Sequence, residues 1–184
     1  MEPSSTPRSW PVRAAALLPI LLVCALATAP ARAERPIALD AKLEKADRIL
    51  VLKSARLLQL LHDGRVLKSY PIALGGHPVG PKERAGDSRT PEGVYRIDGR
   101  NPHSRYFLSL HISYPSAADA ARAHAAHVPP GGDIFVHGMP NAYGPYDPIR
   151  FFEDWTDGCI SVGNVAIQEI WARVDDGTTI EIRP

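Results

Sequence analysis

Two residues of this 184-residue chain have the type and surroundings that nucleophilic chemistry needs, Cys159 and His137. A thiolate is the competent sulfur nucleophile, and a protonated imidazole beside it lowers the thiol pKa. Cys159 lies in the run Thr156-Asp157-Gly158-Cys159-Ile160-Ser161-Val162-Gly163-Asn164. Gly158 permits a tight turn and close approach of a substrate backbone. Backbone N–H groups in such a turn can converge on one point, as an oxyanion hole requires. Ile160 is apolar and can anchor the segment in a core, leaving the sulfur at the surface. His137 follows the apolar run Ile134-Phe135-Val136 and precedes Gly138, where a strand opens into a loop. Binding and catalytic residues concentrate at such ends. Each residue also has a plainer reading: a buried, inert cysteine, and a histidine satisfied by backbone hydrogen bonds at a strand end.

The cysteine count bears on that choice. Cys24 is the only other cysteine, and it sits in an N-terminal segment with the pattern of a secretory signal. Arg8 and Arg13 make its basic part. Ala14 to Ala29 is apolar except for Pro19 and Thr28, and Ala31-Arg32-Ala33 is a small-x-small cleavage pattern. Residues 1–33 are therefore expected to be a signal peptide and 34–184 a single catalytic domain, with no stable membrane span after cleavage. Removing Cys24 leaves one thiol without an internal partner, which is unusual in an oxidising compartment. The net charge of +1 gives no basic footprint for nucleic acid or for an anionic membrane.

The elements that must position these residues are mostly strands. Residues 48–54 read as a strand. Residues 56–62 and 65–72 flank Asp63-Gly64, a two-residue hairpin signal. Residues 75–92 read as a long loop, and Gly93–Asp98 and Tyr106–Ile112 as strands. In the second of these, Leu108, Leu110 and Ile112 share one face, with Ser109 and His111 on the other. Ser116 caps a predicted alanine-rich helix, and Asp133–Val136 forms a short strand. Asn164 reads as the cap of an amphipathic helix over 165–174, and Asp176-Gly177 turns the chain into a last strand, 178–182. This order predicts an α+β fold, a β-rich sandwich or open barrel with one or two helices.

Taken in order, Ile134-Phe135-Val136-His137-Gly138 and Asp157-Gly158-Cys159-Ile160 resemble the catalytic signature of the YkuD-type L,D-transpeptidases, in a subgroup lacking a separate wall-binding module. So do Lys82, then Gly86-Asp87-Ser88-Arg89-Thr90-Pro91-Glu92-Gly93-Val94-Tyr95, the stretch Leu108–Pro115, and Asp154-Trp155-Thr156. The resemblance implies that Cys159 attacks the diaminopimelate carbonyl of a peptidoglycan stem peptide, with His137 as base. The Gly138 carbonyl would orient the imidazole, and amides around Gly158 and Cys159 would hold the oxyanion. It implies no metal and no organic cofactor, a periplasmic location, and stem peptides as partners, with a wall-attached lipoprotein as a further one. Transfer, carboxypeptidase and amidase outcomes all share the acyl-enzyme, and a non-catalytic wall-binding role is the competing class. A sortase would need a Thr-x-Thr-Cys context, and papain-like or NlpC-type peptidases place Cys before His, the reverse of the order here.

Two positions depart from the family pattern. Asp157 stands where many relatives have histidine, and its negative charge opposes thiolate formation. Ser161 stands where many have arginine; Arg89 and Arg150 are the candidates to replace that cation. Arg89, His111, Trp155, Ser161 and Asp157 are the expected substrate-binding residues. Phe151 and Phe152 read as loop packing or a lid, Asp87 and Glu92 as loop carboxylates or an acid pair, and His124 and His127 as a solvated helix face.

Overall fold

A computed structural model describes residues 43–143 and 153–184. The expected signal segment and Arg150, Phe151 and Phe152 lie outside the described residues.

The elements run β1 (Ala46–Leu52), β2 (Leu57–His62), β3 (Arg65–Pro71), β4 (Gly93–Ser104), β5 (Phe107–Ile112), α1 (Ala117–Ala125), β6 (Phe135–His137), β7 (Ile160–Ser161), α2 (Asn164–Arg173) and β8 (Val174–Arg183). The strands form one mixed sheet in the order β3-β2-β1-β8-β4-β5-β6-β7. β1–β8 and β6–β7 are parallel, and the other pairs are antiparallel. With its two helices this sheet makes a half-barrel, the open-barrel form of the expected α+β class.

The β2–β3 hairpin turns as expected, with Asp63 at φ 48° and Gly64 at φ 75°, the two positive values of a type I′ turn. β4 continues past its expected end at Asp98. Its residues Gly93–Arg96 pair with β8, while Ile97 onward pairs with β5. The register shifts between Ile97 and Gly99, so a bulge bends the strand and lets one chain segment serve two neighbours. β8 starts at Val174, earlier than expected. Ala46 pairs with Val174 but Arg48 with Thr179, so Asp175–Thr178 bulge out at the expected turn while the strand persists on either side.

Ser116 caps α1 in a reciprocal capping box with Asp119. The cap of α2 is Gly163, not Asn164. The Asn164 side chain is already engaged, its Oδ1 accepting from the Met139 amide at 2.8 Å. Ile167 and Ile170 of α2 join Ile49, Val51, Leu58, Leu60, Leu110, Ile112, Val136, Ile160 and Ile180 in one core. Burying each such side chain is worth about 1.5–3 kcal/mol. That core fixes the concealed side of the sheet and thereby decides which residues face outward.

Candidate active site

The alternation of the strands brings the chemistry together. Ser109 pairs with His137 and His111 with Phe135 across β5–β6, and His137 pairs with Ser161 across β6–β7. Paired residues on neighbouring strands point to the same face, as do residues two apart on one strand. Val136 and Ile160, fully buried, take the core face. His137 and Ser161 therefore take the other. Cys159 immediately precedes β7, and its sulfur takes a backbone hydrogen bond from Phe135, two residues before His137 in β6.

His137 is 3% exposed. Its ring lies against Tyr106, with centroids 4.4 Å apart, and meets Trp155 edge-on at 5.8 Å. Its Nδ1 is 2.7 Å from the Gly138 carbonyl. A carbonyl only accepts, so Nδ1 carries the hydrogen and Nε2 keeps the lone pair of a base. Gly138 has no room for a side chain: a Cβ would lie 2.6 Å from Asn164 Oδ1 and 2.9 Å from the Tyr106 carbonyl. Burial pushes the imidazole pKa down to about 4, and the hydrogen bond to Gly138 opposes this only in part.

Cys159 is half-buried. Burial pushes its thiol up to about 11. A backbone hydrogen bond from Phe135 acts the other way, Asp157 raises it, Lys82 lowers it and Asp133 raises it. The thiol lies 3.6 Å from the Asp133 carbonyl. Burial thus disfavours charge on both the thiol and the imidazole. The opposing effect of Asp157 follows the sequence expectation; the residue itself is exposed.

The turn before the sulfur is held from several sides. Thr156 Oγ1 donates to the Cys159 carbonyl at 2.7 Å and accepts from the Gly158 amide at 3.1 Å. The Gly158 N–H is therefore engaged within the turn itself. Gly158 has φ +131°, and a Cβ there would lie 2.6 Å from the Arg89 carbonyl, so both backbone shape and space demand glycine. Asp154 receives the Arg56 guanidinium fork at 3.0 and 2.6 Å, and the Leu74 amide at 2.9 Å. Thr90 accepts from the Gly75 amide at 3.1 Å.

The expected substrate-binding residues fall in different places. His111 lies on the same sheet face as His137, paired with Asp98 at 2.5 Å and edge-on to Phe135 at 4.9 Å. Trp155 is half-buried against His137. Arg89 lines a cleft of about 440 Å³ with His77, Glu83, Arg84, Gly86 and Asp87. Ser161 is 3% exposed, its hydroxyl set against the Met139 sulfur, so it belongs to the packing of the site rather than to its open surface. Asp87 and Glu92 do not pair with each other: Asp87 takes Lys82 and Glu92 takes Lys53. His124 and His127 are exposed, and His127 lies beyond the end of α1.

Sequence reasoning assigned no role to Tyr106, Arg56, Asp154, Thr156 or Lys53. The first three act through partners distant in the chain, which no local pattern announces.

This fold and signature define a family. Residues 46–182 match YkuD, the L,D-transpeptidase catalytic domain, and the chain belongs to that family. It is 34% identical over 132 residues to the Escherichia coli (strain K12) protein named "Putative L,D-transpeptidase YafK", covering 68% of this chain and 46% of that one. The chain thus spans about half the length of that relative. The crystal structure of the helical cell shape determining protein Pgp2 from Campylobacter jejuni aligns with TM-score 0.57 and 25% identity, over 74% of this chain and 46% of that one. Bd1075 from Bdellovibrio bacteriovorus aligns with TM-score 0.51 and 24% identity, over 77% and 51% of the two chains, a likeness of fold.

Proposed function

We propose that this chain is a peptidoglycan-modifying cysteine acyltransferase that forms a thioester between Cys159 and the diaminopimelate carbonyl of a stem peptide. The observation that carries the reading is the buried imidazole of His137, its tautomer fixed by Gly138, with the Cys159 sulfur set against Phe135 of the same strand. As the sulfur attacks, its proton passes to His137 Nε2, and a tetrahedral oxyanion forms. Collapse breaks the amide bond, and the same proton leaves with the amine of D-alanine. An incoming amine then gives its proton to Nε2 as it attacks the thioester, and the thiol is regenerated when that proton returns to sulfur. Water in place of the amine gives hydrolysis by the same steps. The lowered pKa of His137 supports this cycle, since an uncharged imidazole begins each half-reaction able to accept a proton.

The cell-wall setting is supported by the family and by the Campylobacter jejuni neighbour, a helical cell shape determining protein. Within this reading, residues 1–33 are a leader removed on export and the domain works in the periplasm. Its substrates there are stem peptides and, as an acceptor or attached product, a wall-linked lipoprotein. Among the described residues no helix is long and apolar enough to cross a membrane.

The test is mass spectrometry of muropeptides incubated with the wild type and with Cys159→Ala. New diaminopimelate–diaminopimelate links, absent with the variant, are the expected result. Loss of D-alanine or of cross-links without new ones assigns hydrolysis instead. Identical products from both proteins would refute the enzyme reading and leave a wall-binding role.

A further inference from the structure

Two buried lysines flank the loop between β3 and β4, and they differ in one respect. The ammonium of Lys53 has three acceptors: the Gly80 carbonyl at 2.6 Å, the Thr90 carbonyl at 3.0 Å and Glu92 Oε1 at 2.7 Å. Three donors meet three acceptors, as a structural clamp requires. Lys82, equally buried, has Asp87 Oδ1 at 2.6 Å as its acceptor among the described residues. Asp87 itself is fully employed, taking the amides of Glu83, Arg84 and Arg89 as well. A buried ion pair is seldom more stabilising than apolar residues of the same volume. Stability alone therefore gives no reason for a cation at position 82.

Its location supplies one. The Ala85 amide binds the Pro129 carbonyl at 2.9 Å, docking the loop onto the segment that enters β6. A Cβ on Gly131 would lie 3.2 Å from Lys82 Cε. Two residues further on, the Asp133 carbonyl faces the Cys159 sulfur. The Lys82 stem and the sulfur thus border the same three-residue stretch. The charged and titratable groups about the thiol are Asp133 from that stretch, Asp157 from its own turn, His137 from β6, and Lys82, with Asp87 and Glu83 behind it. Three are carboxylates other than Asp87, and the imidazole is held neutral.

We propose that Lys82 is a positioning residue of the nucleophile: its ammonium, aimed by Asp87, offsets the negative charge that builds on the Cys159 sulfur as the thiol proton leaves. This rests on Cys159 being the reacting group but not on the identity of any substrate. The direction of the field agrees, since Lys82 favours the thiolate where Asp157 and Asp133 oppose it.

The experiment reads the sulfur with no peptide present. Full-length protein is alkylated with iodoacetamide from pH 7 to pH 10, and the Cys159 peptide is followed by mass so that Cys24 is scored separately. Removing one unit charge at this range moves a half-buried thiol by about one pKa unit. Lys82→Met should therefore slow alkylation at pH 8 by about threefold, because the tenfold loss of thiolate is partly offset by its greater nucleophilicity. Lys82→Arg should restore the rate. Asp87→Asn removes the counter-charge and keeps the ammonium, so it should alkylate at least as fast as the wild type. Folded Lys82→Met alkylated at the wild-type rate, or Asp87→Asn slowed as much as Lys82→Met, overturns the proposal. Failure of muropeptide turnover with normal Lys82-dependent alkylation would instead count against the proposed reaction alone.

Discussion

If the resting pair is neutral, the reactivity of Cys159 follows an uncommon course with pH. The thiol is pushed up to about 11 and the imidazole down to about 4, so the two differ by about seven units. Moving the proton from sulfur to nitrogen is then uphill by about 9–10 kcal/mol at 1.36 kcal/mol per unit. Mutual attraction of the resulting ions at contact returns about 4 kcal/mol at an effective dielectric of 20. A deficit of about 5–6 kcal/mol remains, which leaves about one molecule in 10⁴ as the ion pair. Alkylation of Cys159 by iodoacetamide should accordingly be slow and flat from pH 5 to about pH 7, where the ion pair supplies the thiolate, and rise about tenfold per pH unit from there to pH 10. Acylation by a carbapenem should be flat over the same range, because the neutral pair is present throughout. It should show a normal solvent deuterium isotope effect, as proton transfer accompanies attack. His137→Ala should abolish acylation and remove the flat part of the alkylation profile below about pH 7, leaving the rise above it. Rapid alkylation already at its plateau by pH 6 would refute the neutral pair and restore the thiolate–imidazolium form.

Two other outcomes follow from buried charge. Below pH 6.5 the unfolded chain takes up a proton at His137 that the folded protein refuses until about pH 4. Stability is thus fully present above pH 6.5 and falls as pH drops to 4, by about 3 kcal/mol or about 10 °C in Tm. Calorimetry at pH 7 and pH 4 should show most of this loss absent in His137→Gln; an equal loss in the variant would sink the assignment. Lys53→Met strands the Glu92 carboxylate and two carbonyls, and denaturant unfolding should register a loss of about 3–5 kcal/mol. Lys53→Met/Glu92→Leu should recover most of it, whereas an equally unstable double variant would show that the clamp acts by something other than its charges.

Where a feature depends on neighbours in sequence, it was readable. The alternation in β5, the Asp63-Gly64 hairpin and the Ser116 cap all rest on adjacent residues, and all are found. Cys159 and His137 stood out because glycines and apolar runs beside them marked a turn and a strand end. What stayed hidden depends on distant partners. Asn164 has the composition of a helix cap, but the Met139 amide claims its side chain. Asp154 and Arg56 join across 98 positions, and neither has a local pattern that announces the fork. The burial of His137 stayed hidden for the same reason. Local sequence shows an imidazole but not the Tyr106 and Trp155 rings that exclude water from it.

β8 is the last strand of the chain, yet it lies at the middle of the sheet, between β1 and β4. Until residues 174–183 have been made, the hairpin half and the half bearing His137 have no common neighbour. A nascent chain therefore carries Cys159 and His137 before the strand that joins the two halves of the sheet. Closure of the sheet thus waits on the end of the described chain, and truncation within β8 should unfold both halves together.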